Sequence, residues 1–193
     1  MSLESILETY PKKVSLKNGV SCLIRPLQSG DARGLNTFFL SLHGQELMYM
    51  KHRVTDPAVT RTWCKNIDYG HNLPLLALVD DRIVGIATLH QQLGGWKRHI
   101  GRVSVHVHPQ YRGIGIAHSL VSQLIDIARQ CGLQRIEAEF IAEQETAIKM
   151  FAMLGFREIV RLPDYVQDMQ AITHDYILMA LELKTDEEYA GMG

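Results

Sequence analysis

The stretch Val103–Val121, VSVHVHPQYRGIGIAHSLV, decides how this chain reads. It opens as an alternating strand, with Val103, Val105 and Val107 on one face and Ser104, His106 and His108 on the other. His108-Pro109 turns the chain, and Arg112-Gly113-Ile114-Gly115-Ile116-Ala117 follows. An amphipathic helix comes next, with Leu120, Leu124, Ile127 and Cys131 on one stripe. A strand, a glycine-bearing turn and a helix start make an anion site. The first helical turn leaves its backbone N–H groups free, and the helix dipole adds partial positive charge there. Gly113 and Gly115 carry no Cβ, so a phosphate can come close to the backbone. Arg112 is placed to add a charge-assisted hydrogen bond.

Two common phosphate-binding turns do not fit. A P-loop ends in Gly-Lys-Ser/Thr, which this turn lacks. The dinucleotide fingerprint wants a third glycine where this chain has His118. It also belongs just after the first strand of a βαβ unit, whereas this turn starts only at residue 112.

Composition narrows the class. A chain of 193 residues suits one well-cored domain, here 1–193 with a core of about 14–183 and flexible ends. A net charge of −1 gives no global electrostatic case for nucleic acid or an anionic membrane. No run of about 18 apolar residues suggests a spanning helix. The opening MSLESILETYPKKV lacks the basic and apolar regions of a secretory signal. Cys22, Cys64 and Cys131 are odd in number and far apart, in apolar or helical patterns, and read as reduced thiols of a cytoplasmic protein. None has a neighbouring His to make it a nucleophile.

Lys13–Leu16 and Val20–Arg25 flank Asn18-Gly19, the strongest short hairpin signal. Asp31 is a candidate N-cap for a helix carrying Leu35, Phe38, Phe39 and Leu42. Asp56-Pro57 opens a second helix. Leu73–Val79 and Ile83–His90 read as strands around Asp80-Asp81-Arg82, and Gly94-Gly95 precedes a strand from about Arg98 to Val107. A helix runs to Gln130 and stops at Gly132, with a strand at Arg135–Ile141. The segment Glu143–Leu154 is a helix that Gly155 ends. Phe156–Val160 and His174–Leu183 close the set, with Asp164–Asp168 as a loop between them and an acidic, fraying tail from Thr185. Interleaved helices around a central meander imply a layered α/β (α+β) fold with a mixed sheet, not a doubly wound parallel one.

The element order and two motif blocks resemble the GNAT acyltransferases over roughly residues 14–183. Arg112-x-x-Gly115-x-Ala117 is similar to their pyrophosphate-loop signature. Ala147-Ile148-x-Met150-Phe151-x-x-Leu154-Gly155-Phe156 resembles the late helix that a Gly-Phe pair closes. Ile24-Arg25-Pro26-Leu27 followed by Asp31 resembles the family's entry. The resemblance implies a mostly antiparallel central sheet with helices on both faces, splayed between the fourth and fifth core strands. It implies an acetyl-CoA-dependent N-acetyltransferase without a metal. The pantetheine arm would enter the splay along Val105, His106 and Val107, bonding the backbones of Val105 and Val107. The pyrophosphate would lie over Arg112, Gly113, Ile114, Gly115, Ile116 and Ala117.

The same resemblance assigns chemistry. The Val105 N–H is the candidate oxyanion donor. The family's usual acid, a tyrosine four residues before the closing glycine, is Phe151 here, a ring that can line the cofactor but not donate. The helix-start asparagine is replaced by Gln144, which keeps the amide. In the branch similar to ribosomal-protein alanine acetyltransferases, a strand-five glutamate is the base, and the spacing from Gly155-Phe156 puts that slot on Glu139. An outward-facing, solvated Glu139 is the plainer alternative. Tyr165 is a substitute acid or an aromatic wall, or else a surface tyrosine. His106 and His108 share a face but lack a third metal ligand nearby and read as a solvated or locally hydrogen-bonded pair, and His99 is a surface histidine or else a candidate for acting through water. Met48–Arg53, with Lys51 and His52, belongs to the segment framing the acceptor. The acceptor itself is an unspecified primary amine of a small molecule or peptide, and the enzyme a monomer or homodimer with no nucleic-acid or membrane partner. The competing reading is a non-catalytic acyl-CoA-binding regulatory module.

Overall fold

The computed structural model describes residues 2–50 and 52–183. Eight strands form one sheet, β1 (Lys12–Ser15), β2 (Ser21–Pro26), β3 (Asn72–Val79), β4 (Arg82–Gln91), β5 (Ile100–Val107), β6 (Arg135–Ile141), β7 (Arg157–Gln167) and β8 (Thr173–Glu182). Six helices accompany them, α1 (Leu3–Leu7), α2 (Ala32–Leu40), α3 (Gly44–Leu47), α4 (Pro57–Lys65), α5 (Ile116–Gln130) and α6 (Glu145–Met153). The sheet order is β1-β2-β3-β4-β5-β6-β8-β7, and every neighbouring pair is antiparallel except β5 and β6.

Alternation along the strands builds two cores. On one face, Leu75, Ala77, Ala87, Leu89 and Val103 pack under Leu120, Leu124 and Ile127 of α5 and Phe151 of α6. On the other, Leu76, Leu78 and Ile86 pack under Leu35, Phe38 and Phe39 of α2 and Cys64 of α4. Helices therefore cover both faces, as the layered reading requires.

Local chemistry sets the ends. Asp56 accepts from the Ala58 N–H at 2.8 Å and Pro57 is the first residue of α4, so α4 starts where the sequence indicates. Asp80 and Asp81 take positive φ of 47° and 61°, the mirror-image turn that a two-residue hairpin needs.

Three readings are corrected. Asp31 holds the N-cap position of α2 but makes no side-chain cap bond to it. Its carboxylate instead takes both Arg25 Nη1 and Nη2 at 2.7 Å and the Gln28 N–H at 2.7 Å, tying β2 to the helix entry. The segment Asp164–Gln167 is not a loop but the far half of β7. The register slips between Leu162 and Val166, and Asp164 sits at φ 50°. β7 is the sheet's edge, where a strand tolerates Pro163 and a bulge without ending. The helices α1 and α3 were not foreseen, being too short to show a helical period. The tail from Thr185 lies outside the described residues.

Candidate active site

β5 and β6 run parallel only over Ile100–Arg102 and Arg135–Glu137, then separate. On its other side β5 stays paired with β4 to Val107. The His108 N–H donates to the Val84 carbonyl of β4 at 2.8 Å. Strand alternation therefore turns the N–H and C=O of Val105 and Val107 toward the opening gap. A sheet edge of this kind exposes donors and acceptors that an amide-containing chain can pair.

The gap runs into the start of α5. Gly113 and Gly115 take φ of 79° and 101°, so this turn needs glycine. A Cβ at Gly113 would meet no atom within 4 Å, and at Gly115 only Lys17 Cγ at 3.9 Å. The bare backbone thus faces open cleft rather than packed core. The first helical bond, Ser119 N–H to Gly115 O at 3.0 Å, leaves the Ile116, Ala117 and His118 amides directed out of the helix start. This is a cradle that fits a pyrophosphate.

Arg112 already has two partners. Its Nε donates to the Val107 carbonyl at 3.1 Å and its Nη2 pairs with Glu46 of α3 at 2.6 Å. It braces the turn and also lines the cleft. A second basic residue beside the cradle is Lys17, whose backbone N–H donates to the Ile114 carbonyl at 3.1 Å and whose stem runs past Gly115. Nothing in the local motif points to a hairpin residue almost a hundred positions earlier.

The surrounding cleft measures about 1400 Å³. A site for one small molecule is about 300–1,000 Å³, so there is room for two reactants. One arm is the gap and cradle. The other lies between the sheet and α2–α4, walled by Leu27, Phe39, Val54, Trp63, Ile67 and Ile86. Where the arms meet stands Glu139 on β6. Its Oε2 pairs with Arg102 Nη1 at 3.2 Å, and its Oε1 accepts from the Tyr176 hydroxyl at 3.0 Å. Burial, then the Glu139 carboxylate, push the Tyr176 hydroxyl up to about 12, so it stays a donor. Arg102 falls within the strand read from about Arg98 to Val107 and Tyr176 within His174–Leu183, and no local signal marks either. Both matter only through pairing across strands.

The remaining candidates separate. His106 lines the cleft, and burial holds its imidazole down at about 4, so it is neutral. His108 is turned away, its Nδ1 accepting from the Gln110 N–H at 3.2 Å. Gln144 lines the cleft with its side-chain oxygen already taken by the Ile141 N–H at 3.0 Å. Phe151 is placed beneath the lining rather than in it. It is buried edge-on between Phe140 and Phe156, at centroid distances of 5.0 and 4.9 Å, while Ala147 and Met150 of α6 meet the cleft. Tyr165 is exposed on the edge strand against the Tyr176 ring at 5.6 Å and does not reach the cleft lining. The tyrosines that do are Tyr49 and Tyr111. His99 is exposed and also outside the lining. Tyr49, Met50 and His52 line the acceptor arm, while Lys51 lies outside the described residues. Among the described residues, no three His, Cys, Asp or Glu side chains gather as metal ligands.

The model of the acetyltransferase (GNAT) family matches residues 39–156. The chain belongs to this acetyltransferase family. Relatives include the L-amino acid N-acyltransferase MnaT of Escherichia coli, 32% identical over 84 residues, or 41% of this chain and 49% of MnaT. The L-methionine sulfoximine/L-methionine sulfone acetyltransferase of Salmonella typhimurium gives the same identity and coverage. The match thus spans about half the length of these curated relatives. Among solved GNAT structures, the GNAT domain of S. lividans PAT superimposes with a TM-score of 0.74 at 16% identity, covering 90% of this chain and 97% of that one. The Salmonella typhimurium protein yncA with its cofactor acetyl-CoA gives 0.71 at 21% identity, covering 84% and 94%. At these identities the likeness shows the fold.

Proposed function

We propose that this GNAT protein transfers an acetyl group from acetyl-CoA to a primary amine, with Glu139 as the base. The observation that carries the reading is the gap beyond Arg102 and Glu137, which turns the Val105 and Val107 backbones toward a phosphate cradle at Gly113–Ala117. Acetyl-CoA supplies an activated thioester. Val105 and Val107 pair with its amide arm, the amides of Ile116 and Ala117 hold its pyrophosphate, and Lys17 adds the cation. The Val105 N–H meets the negative charge that develops on the carbonyl oxygen. The amine nitrogen forms the new C–N bond as the C–S bond breaks. Its proton passes to Glu139, directly or through one water. Phe151 has no proton to give, so the departing thiolate is protonated by water.

The test is release of free CoA in the presence of amines, with Glu139→Gln beside the wild type. The substitution keeps the shape and removes the proton acceptor. Removing a general base costs typically 10²–10⁴ in rate, so turnover falls at least ~10²-fold at pH 7 while CoA affinity holds. A loss below threefold at every pH overturns the assignment of Glu139. CoA binding with no release across all amines would instead fit the non-catalytic binding module.

A further inference from the structure

The charge pattern of the cleft restricts what the amine can be attached to. Among the described residues four carboxylates line it, and each already has a side-chain partner. Glu46 pairs with Arg112 at 2.6 Å, Asp68 with His71 at 2.7 Å, Glu139 with Arg102 at 3.2 Å and Glu143 with His174 at 2.9 Å. A polyamine needs several uncommitted acids, and this cleft does not provide them. The acceptor arm beyond Glu139 is apolar and aromatic, with Trp63 edge-on to Phe39 at 5.9 Å and to His52 at 5.8 Å. The polar groups beside it satisfy one another, His90 bonding Asn72 at 2.7 Å and Ser104 at 3.2 Å.

Arg102 stands at the junction of this arm with the gap. Among the described residues its Nη1 makes a single contact, with Glu139, and its Nε is buried without a partner. A guanidinium that makes one monodentate contact has donors left for a second anion. A cation and an anion side by side, with an apolar pocket leading away, complement a zwitterionic head on an apolar tail. The ammonium end faces Glu139, where its proton is to be removed. A carboxylate a few ångströms away faces Arg102. The tail lies over Thr88 and Ile86 toward Trp63.

We infer that the acceptor is a free amino acid with an apolar or aromatic side chain, read by Arg102 through its carboxylate and by the Trp63 pocket through its side chain. The inference rests on the acetyl-transfer reading above. The product is the N-acetyl amino acid, and the chemical step is unchanged.

The experiment compares kcat/KM for L-phenylalanine, phenethylamine, spermidine and an N-terminally blocked lysine peptide, each with acetyl-CoA. Sites that pair a substrate's charged or polar group reject analogues lacking it strongly, so phenylalanine exceeds phenethylamine by at least about tenfold. Spermidine and the peptide fall below phenylalanine. In Arg102→Gln the phenylalanine-to-phenethylamine ratio drops toward one. Should that variant fail to fold, the wild-type ranking still decides. CoA release with spermidine, the peptide or phenethylamine equal to or above phenylalanine overturns the inference and leaves acetyl transfer standing. No CoA release with any of the four, beside retained CoA binding, overturns the inference, and no release across all amines overturns acetyl transfer as well.

Discussion

Gly85→Ala isolates the link between sheet packing and the phosphate cradle. Gly85 lies in β4, directly beneath the first turn of α5. A Cβ there would stand 2.8 Å from Ile116 Cγ2, 3.2 Å from Leu120 Cδ1 and 3.5 Å from Ala77 Cβ. Ordinary contact begins at 3.4 Å, so Ile116 must retreat by about 0.6 Å. Ile116 is β-branched and 2% exposed, so it has no free rotamer to adopt and the helix start must lift. Overpacking of this kind costs about 1–3 kcal/mol. At roughly 2–4 °C per kcal/mol for a chain of this size, Tm falls by about 2–12 °C. The lift carries the Ile116 and Ala117 amides with it, while Lys17 and Arg112 still hold the turn before them. Losing about 1 kcal/mol of charge-assisted bonding weakens acetyl-CoA binding about fivefold. Urea denaturation and isothermal titration measure the two effects. Stability within 0.5 kcal/mol of wild type would refute the packing argument, and lost stability with unchanged affinity would refute the claim that this helix start holds the ligand.

Three other outcomes follow from named contacts. Lys17→Ala weakens CoA binding several-fold but leaves binding of the phosphate-free acetyl-pantetheine fragment unchanged, by titration of both; equal CoA affinity would refute the role of Lys17. Burial keeps His106 neutral, with its imidazole at about 4 against an ordinary 6.5, so stability present above pH 6.5 is lost as pH falls toward 4. That limb is worth about 3 kcal/mol, and His106→Asn flattens it in denaturation curves taken across that range. Hydrogen bonds that the His174 ring donates to Glu143 and then to Asp168 raise it, so its contribution has the opposite sign: it is full below pH 6.5 and lost as pH rises through the raised value. His174→Gln removes that alkaline-side decline, and an unchanged profile would show that the two acids do not hold the imidazolium.

What was legible in the sequence was what short-range physics decides. The valine alternation of β5, the paired glycines before α5, Asp56-Pro57 and the Asp80-Asp81 turn each carry their structural cause within a few residues, and β6 runs from Arg135 to Ile141 as read. β7 misled because Pro163-Asp164 is a turn signal in isolation, whereas an edge strand absorbs it as a bulge. The cleft was less legible because its side chains meet across long separations. Arg112 is held by Glu46, and Tyr176 by Glu139, 66 and 37 residues apart. No motif records such pairs. Phe151 shows a further gap: its slot was recognisable from the closing glycine, but its direction depended on Phe140 and Phe156 packing around it.

The central claim is that acetyl-CoA binds with its pyrophosphate on the helix start at Gly113–Ala117. Isothermal titration of acetyl-CoA into the wild type, Gly115→Ala and Gly115→Glu tests it most directly. Both variants bear the same strain at a φ of 101°, so only the added carboxylate and bulk separate them. Wild type binds, the alanine variant binds within about tenfold of it, and the glutamate variant loses binding while circular dichroism shows the fold retained. Absence of binding to the wild type, or equal affinity in the glutamate variant, would contradict the account.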